Sequence, residues 1–304
     1  MKRTLIGVLV LVVLFLLVSY VRNLLQLGRK AGKMEKRQRT SQQHFSVDLL
    51  EFFDVNDALD VTWAHAVNSQ SHLQTALSTE VMMLEADVSQ RADGTPIMAH
   101  PPSTNSDLSL VQFLKGALNS RKGIKLDFKS TDVLEPSLKI LLEQTSQQQA
   151  VNPIWLNADI LPGPCKSDCS PVNPGVFFSL CTKYFPSATL SVGWTTHSFI
   201  SVENDYYEWR FVQPMKDLLS SVTQPVTFPV RANMIGKSME QMIWLLSLSS
   251  NYSLTVWSAF FDKPNIKDLV VLQNKVSDRK RIFYDLPSEQ KAKFVEERKV
   301  KVTL

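Results

Sequence analysis

The stretch Val81–His100, VMMLEADVSQRADGTPIMAH, decides the fold. Glu85 and Asp87 stand two residues apart in a run bounded by apolar residues, so on a strand both side chains point to one face. Asp93-Gly94 is a turn signal, and the run Pro96 to His100 folds back along the first strand. That return brings His100 near the two carboxylates. A solvated hairpin standing alone is the plain alternative, and the rest of the chain argues against it.

Outward from this hairpin the chain repeats one grammar, a short β-rich run ending in polar residues and then a helical pattern. The strand-like runs are VTWAH, MLEADV with its return IMAH, IKLDF, IWLNADI, TLSVGW, VTFPVRA, LTVWSA and RIFYDL. Between them lie HLQTALSTE, LVQFLKGALNS, LEPSLKILLEQ, GVFFSLCTKYF, FVQPMKDLLSSV, MEQMIWLLSLS and IKDLVVLQNKV, with apolar residues at helical spacing. Eight strand–helix units in about 245 residues are the count and size of a (β/α)8 TIM barrel. A doubly wound open sheet is the competing architecture, but the sequence holds no G-x-G-x-x-G and no P-loop.

A (β/α)8 barrel builds its site at the C-terminal ends of its strands. There the sequence places His65, Glu85, Asp87, His100, Asp127, Lys129, Asn157, Asp159, Trp194, Arg231, Trp257 and Asp285. Three strands end in a polar residue, a spacer and another polar residue: Glu85-Ala86-Asp87, Asp127-Phe128-Lys129 and Asn157-Ala158-Asp159. Each pair shares a face and converges on the barrel mouth. Glu85, Asp87 and Asp127 are hard oxygen ligands suited to a divalent cation, Ca²⁺ or Mg²⁺. His65 and His100 are an acid/base pair near neutral pH. Lys129 and Arg231 offer positive charge to an anionic group, most naturally a phosphate. Asn157, Asp159, Trp194 and Trp257 complete the expected substrate-binding surface. Divalent ion, cationic side chains and acid/base pair together make the equipment of phosphoryl transfer.

The other features place the barrel. The 304 residues are 44% hydrophobic and 20% charged, ordinary globular material. The net charge of +4 gathers near the N-terminus, at Arg22, Arg29, Lys30, Lys33, Lys36, Arg37 and Arg39, so the barrel itself carries no nucleic-acid footprint. The uncharged run Thr4–Val21 is long enough to span a bilayer and no A-x-A-like cleavage site follows it, which predicts an uncleaved signal-anchor. The expected domains are therefore a transmembrane anchor at 1–21, a basic stalk at 22–50 and the barrel at 51–304. Cys165 and Cys169 lie in a Pro/Gly/Ser-rich loop, where a small disulfide forms if the domain is exoplasmic, and Cys181 falls on a helical pattern. Asn251-Tyr252-Ser253 is the one sequon, a glycosylation site in the secretory pathway.

The order His65, Glu85-x-Asp87, His100, Asp127-x-Lys129 resembles the glycerophosphodiester phosphodiesterase pattern of the phospholipase-C-like barrels. More closely, WAHAVN, EADV, IMAHPP, GIKLDFKS, NADILPGP, GWTTH, VTFPVRA and YSLTVW are similar nearly word for word to the menorin family. The likeness runs from about Leu59 to Leu286 and leaves the anchor and stalk aside. It implies that Glu85, Asp87 and Asp127 are metal ligands, His65 and His100 the acid/base pair and Lys129 a phosphate contact. It also implies a small-molecule or lipid-derived phosphodiester as substrate, or cell-surface proteins as partners of a non-catalytic adhesion or signalling module. Three positions depart from the phosphodiesterase pattern: Ala66-Val67 replaces an Arg-Gly element, Asp127 replaces a Glu, and Pro101-Pro102 follows His100 where Asp is usual. The basic cluster after the anchor favours a cytoplasmic barrel by the positive-inside rule. Menorin relatives are associated with extracellular and cell-surface roles, and on that resemblance the expected barrel is lumenal or extracellular.

Overall fold

The computed structural model describes residues 47–165, 169–197 and 205–301. All of them belong to one unit that begins at Ser46. The anchor predicted at 1–21 and most of the stalk lie outside the described residues, among which no helix is long and apolar enough to cross a membrane.

Nine strands form one sheet: β1 (Trp63–Ala64), β2 (Met83–Gln90), β3 (Pro96–Met98), β4 (Gly123–Phe128), β5 (Ile154–Leu161), β6 (Thr189–Trp194), β7 (Val226–Arg231), β8 (Tyr252–Trp257) and β9 (Ile282–Asp285). Eight of them run in the order β1-β2-β4-β5-β6-β7-β8-β9, every neighbouring pair parallel. This is a nearly closed parallel barrel whose seam lies between β1 and β9. The ninth strand, β3, is the predicted return: it pairs antiparallel with β2, Val88 opposite Met98, across a turn where Gly94 takes φ 87°. That left-handed conformation is the reason a glycine closes the hairpin.

Helices follow the strands: α1 (Leu49–Phe53) precedes the barrel, then come α2 (Gln70–Leu77), α3 (Leu110–Leu118), α4 (Thr131–Gln148), α5 (Pro174–Tyr184), α6 (Trp209–Leu218), α7 (Met239–Ser247), α8 (Ile266–Lys275) and α9 (Ser288–Lys301). The predicted amphipathic stretches all fall on α2 to α8. Alternation along each strand splits the core in two. Leu84, Ala86, Val88, Leu126, Phe128, Val192, Phe228, Val230 and Val256 face outward and are sealed by the helices. The interior is filled at the N-terminal ends of the strands by Met83, Trp155 and Phe283, with Leu49 and Leu50 of α1 against them. The expected stalk boundary at residue 50 therefore cuts through a packed helix: Leu49 and Leu50 are barrel residues, each 5% exposed.

The last helix, α9, escaped the periodicity reading because its sequence, SEQKAKFVEERKVK, is mostly charged and carries few large apolar residues. Its fully buried side chain is Phe294, which packs 4.6 Å from the Tyr284 ring, while Gln290 and Lys291 donate to the Asp262 and Val61 carbonyls at 2.9 Å each. Phe294→Ala should lower unfolding stability by about 3–5 kcal/mol, as expected for deleting a buried aromatic, in urea denaturation followed by tryptophan fluorescence. A change under 1 kcal/mol would show that α9 contributes little to the barrel.

Candidate active site at the barrel mouth

Register brings the polar strand ends together. Asp87 lies opposite Asp127, Asp127 opposite Asn157 and Asn157 opposite Ser191, while Glu85 faces Lys125. Because these residues share the inward face, one oxygen each of Glu85, Asp87 and Asp127 lie within 4.8 Å of one another. The predicted ligand set is thus assembled, two members buried and Asp127 partly open.

The loop after β1, within WAHAVN, holds two of these carboxylates. The backbone N–H of Ala66 donates to Glu85 Oε2 at 2.8 Å and that of Val67 to the Glu85 carbonyl at 2.8 Å. Asn68 then grips Asp87 from both sides, donating Nδ2–H to Oδ2 at 2.6 Å and accepting the Asp87 N–H at 3.0 Å. To aim its N–H at Glu85, Ala66 adopts φ 54°, a left-handed conformation that a residue with a Cβ rarely takes.

Lys129 stands between the other two acids, its Nζ 2.7 Å from Asp87 Oδ1 and 2.5 Å from Asp127 Oδ2. Burial opposes the charge on this ammonium, but the two carboxylates outweigh it and hold the Lys129 pKa well above the usual lysine range. Burial likewise works against ionised Asp87, yet Lys129 and Asn68 bring its pKa down to about 2. Glu85 goes the other way: burial first, then the nearby Asp87, raises it. Asp159 is lifted to about 7 by burial and by the charge of Asp127. It enters the mouth because Gly193 has no side chain; a Cβ there would lie 2.8 Å from Asp159 Oδ1.

His65 closes the seam. Its Nδ1 lies 2.7 Å from Asp285 Oδ2 on β9 and 3.6 Å from Glu85 Oε2, and its ring stacks on Trp257 with centroids 6.3 Å apart and planes 13° from parallel. Burial of that edge lowers its basicity, but Asp285 and Glu85 prevail and raise its pKa to about 10. The opposite edge is open, leaving the side chain 40% exposed. His100 is exposed at the end of the hairpin, its Nδ1 2.6 Å from the Pro101 carbonyl, and the electrostatic field of Asp87 includes it.

Not every predicted residue lies where substrate would meet it. Trp194 is 1% exposed, packs on Tyr207 and Phe228, and spends its indole N–H on the Phe211 carbonyl at 2.7 Å. It is a core residue of the outer layer and not part of the binding surface. Arg231, expected as a phosphate contact, is fully buried: Nε and Nη2 donate to the two oxygens of Asp262 at 2.7 Å each, Nη1 donates to the His197 carbonyl, and the guanidinium lies 5.2 Å from the Trp257 ring. Each of its three nitrogens is engaged and none of the side chain reaches solvent. Asn157 is 3% exposed and holds Asp127 through Nδ2–H at 2.5 Å while accepting from Ser191, so it positions that carboxylate and does not reach the mouth itself. Sequence reasoning also passed over Asn68, Asp262 and Lys125. Lys125, 3% exposed, acts electrostatically on His65, Glu85, Asp159 and Asp285 from below. The signal was present in GIKLDFKS, where Lys125, Asp127 and Lys129 fall on one face.

Fold and site define a parallel-strand barrel with a carboxylate–histidine centre at the C-terminal ends of its strands. Residues 57–291 match the model of the menorin N-terminal domain. The human Protein FAM151B is 39% identical over 270 residues, covering 86% of this chain and 96% of that protein. The chain belongs to the menorin family. Among solved structures it is similar to a glycerophosphoryl diester phosphodiesterase from Parabacteroides distasonis ATCC 8503, at 12% identity and a TM-score of 0.46 over 83% of this chain and 93% of that one. A glycerophosphodiester phosphodiesterase from Agrobacterium tumefaciens str. C58 gives 10% identity and a TM-score of 0.40 over 76% and 93%. Likenesses that low carry no argument, and the barrel rests on its own strand order.

The reassignment of Arg231 is testable by stability. Arg231→Ala strands Asp262 as a buried, unpaired carboxylate and should destabilise the fold by about 3–5 kcal/mol, read from urea unfolding midpoints. An unchanged midpoint with weakened phosphate binding would return Arg231 to the substrate surface.

Proposed function

We propose that the chain is a membrane-tethered, metal-dependent phosphodiesterase of the phospholipase-C-like barrel type, acting on a phosphodiester such as a glycerophosphodiester or a lysophospholipid. The observation that carries this reading is the convergence of Glu85, Asp87 and Asp127 within 4.8 Å, beside a histidine on the face where such barrels do chemistry. The donor set fits a hard divalent cation, Ca²⁺ or Mg²⁺. Charge agrees: Glu85, Asp87, Asp127, Asp159 and Asp285 crowd the mouth against Lys125, Lys129 and His65, and the upward shifts of Glu85 and Asp159, from burial and from neighbouring carboxylates, reflect negative charge that a bound cation would offset. A cation held there supplies positive charge to the phosphoryl oxygens of the substrate.

The chain's own residues carry the remaining work. Lys129 spends two N–H groups on Asp87 and Asp127 and has a third for a phosphate oxygen. His65 and His100 each have Nδ1 engaged, with Asp285 and the Pro101 carbonyl respectively, which leaves Nε2 of each to move a proton. Between them they divide two tasks: taking the proton of the attacking hydroxyl or water, and returning one to the leaving oxygen. Asp285 and Asn68 orient His65 and Asp87 for those roles.

One observation favours a second reading, a non-catalytic cell-surface adhesion or signalling module: the Lys129 ammonium already satisfies Asp87 and Asp127 without a metal. The two separate on a panel of phosphodiesters assayed with and without Ca²⁺ or Mg²⁺. For the enzyme, added cation should raise the melting temperature, because a ligand bound only by the folded state stabilises it, and Asp87→Ala should abolish that gain. His65→Ala and His100→Ala should each cut turnover by about 10² to 10⁴ while keeping the cation response. No cation response and no turnover on any diester would leave the adhesion reading.

We place the barrel on the lumenal or extracellular side. Cys165 and Cys169 are bonded to each other, a linkage that persists in oxidising compartments, and Asn251 is exposed in the turn between α7 and β8, at the end of the barrel away from the site. Full-length chain made in a eukaryotic secretory system should carry a glycan at Asn251 that peptide-N-glycosidase removes and Asn251→Gln eliminates. An unglycosylated barrel that protease digests from the cytoplasmic side of sealed microsomes would place it in the cytoplasm.

A further inference from the structure

Four of the five large apolar side chains exposed among the described residues crowd one end of the barrel. Phe260 and Phe261 are 81% and 76% exposed, Trp209 37% and Val176 36%. The phenylalanines follow β8, Trp209 opens α6 and Val176 lies in the first turn of α5. In a parallel barrel all three places are on the rim where strands end and helices begin, the rim that carries the carboxylates and histidines. Val151, between α4 and β5, is the one such residue at the other end.

The phenylalanine pair is held out by a built support. Asp262, 7% exposed, takes both Arg231 donors at 2.7 Å, accepts the Ala259 N–H at 3.0 Å, and returns its own N–H to the Ala259 carbonyl at 3.0 Å. Gln290 of α9 donates to the Asp262 carbonyl at 2.9 Å. A buried Arg–Asp pair thus clamps a four-residue turn from below, and the two rings at its tip, 5.3 Å apart and edge to face, touch each other while facing water. Single exposed apolar residues need no explanation, but two adjacent phenylalanines on a clamped turn do.

We infer that the aromatic turn Ala259–Asp262 is a membrane-docking element that inserts Phe260 and Phe261 into the interfacial region of a lipid bilayer and sets the mouth against it. Aromatic side chains favour that region, and exposed Lys263 beside the pair can reach the headgroups with its ammonium. The sequence supplies the bilayer: the apolar run Thr4–Val21 is followed by the 24 residues 22–45 before the barrel unit begins at Ser46. Extended, they reach about 85 Å, several times the roughly 27 Å length of an eight-residue strand, so the rim can meet the surface even though α1 packs at the opposite end. The inference rests on the tether of the proposed function and is independent of catalysis.

The test uses the full-length chain reconstituted into phosphatidylcholine vesicles, with an environment-sensitive fluorophore on Phe260→Cys or on Val151→Cys. The native thiols do not compete, since Cys165 and Cys169 are bonded and Cys181 is buried. Flotation with the vesicles reports the tether separately. The expected result is that both proteins float, while only the probe at 260 is quenched by nitroxide-bearing lipid and shielded from aqueous iodide. Substituting Phe261→Ser in the Phe260→Cys protein should restore iodide access at least several-fold without altering flotation. Equal iodide access at both positions, or lipid quenching at 151 in place of 260, would overturn the inference; failure to float would refute the tether and with it the docking.

Discussion

The charge held at the barrel mouth is the constraint on which the rest depends. Five acidic side chains meet where the surroundings are largely protein, and such a gathering survives only with compensation. Lys129 neutralises part of it directly, Lys125 part of it from beneath, and His65 part of it across the seam. What remains is fixed in place by donors with no charge of their own, Asn68, Asn157 and the Ala66 backbone. The left-handed Ala66, the missing side chain at Gly193 and the register of β4 against β2 and β5 are all conditions for that packing of charge.

The hairpin, the strand–helix alternation and the carboxylate triad were legible because each depends on spacing within a few residues. A two-residue period puts Glu85 with Asp87 on one face and Asp127 with Lys129 on another, and parallel register joins the two sets. Residues whose role depends on a distant partner were not legible. Arg231 in VTFPVRA looks like a phosphate ligand until Asp262, 31 positions on, is seen to occupy it. Trp194 looks like a mouth residue until the Phe211 carbonyl claims its N–H. Lys125 was hidden by habit, since a lysine inside a strand reads as solvent-facing unless the interior of the barrel is itself charged.

The departures from the phosphodiesterase pattern acquire physical content in the structure. Where that pattern has Arg-Gly, Ala66 and Val67 keep the backbone hydrogen bonds to Glu85 and lose the guanidinium. The cation in direct contact with the carboxylates is then Lys129, which reaches Asp87 and Asp127 from β4.

The hydrogen bond between His65 and Asp285 joins positions 220 apart in the chain, across strands that share no backbone ladder. It has a temporal meaning as well as a chemical one. While the chain is being made, β2 and β4 emerge well before β9, so Asp285, the closer of the two carboxylates at His65 Nδ1, is the later to arrive. Until β9 is in place, His65 has only Glu85, at 3.6 Å, to offset its charge.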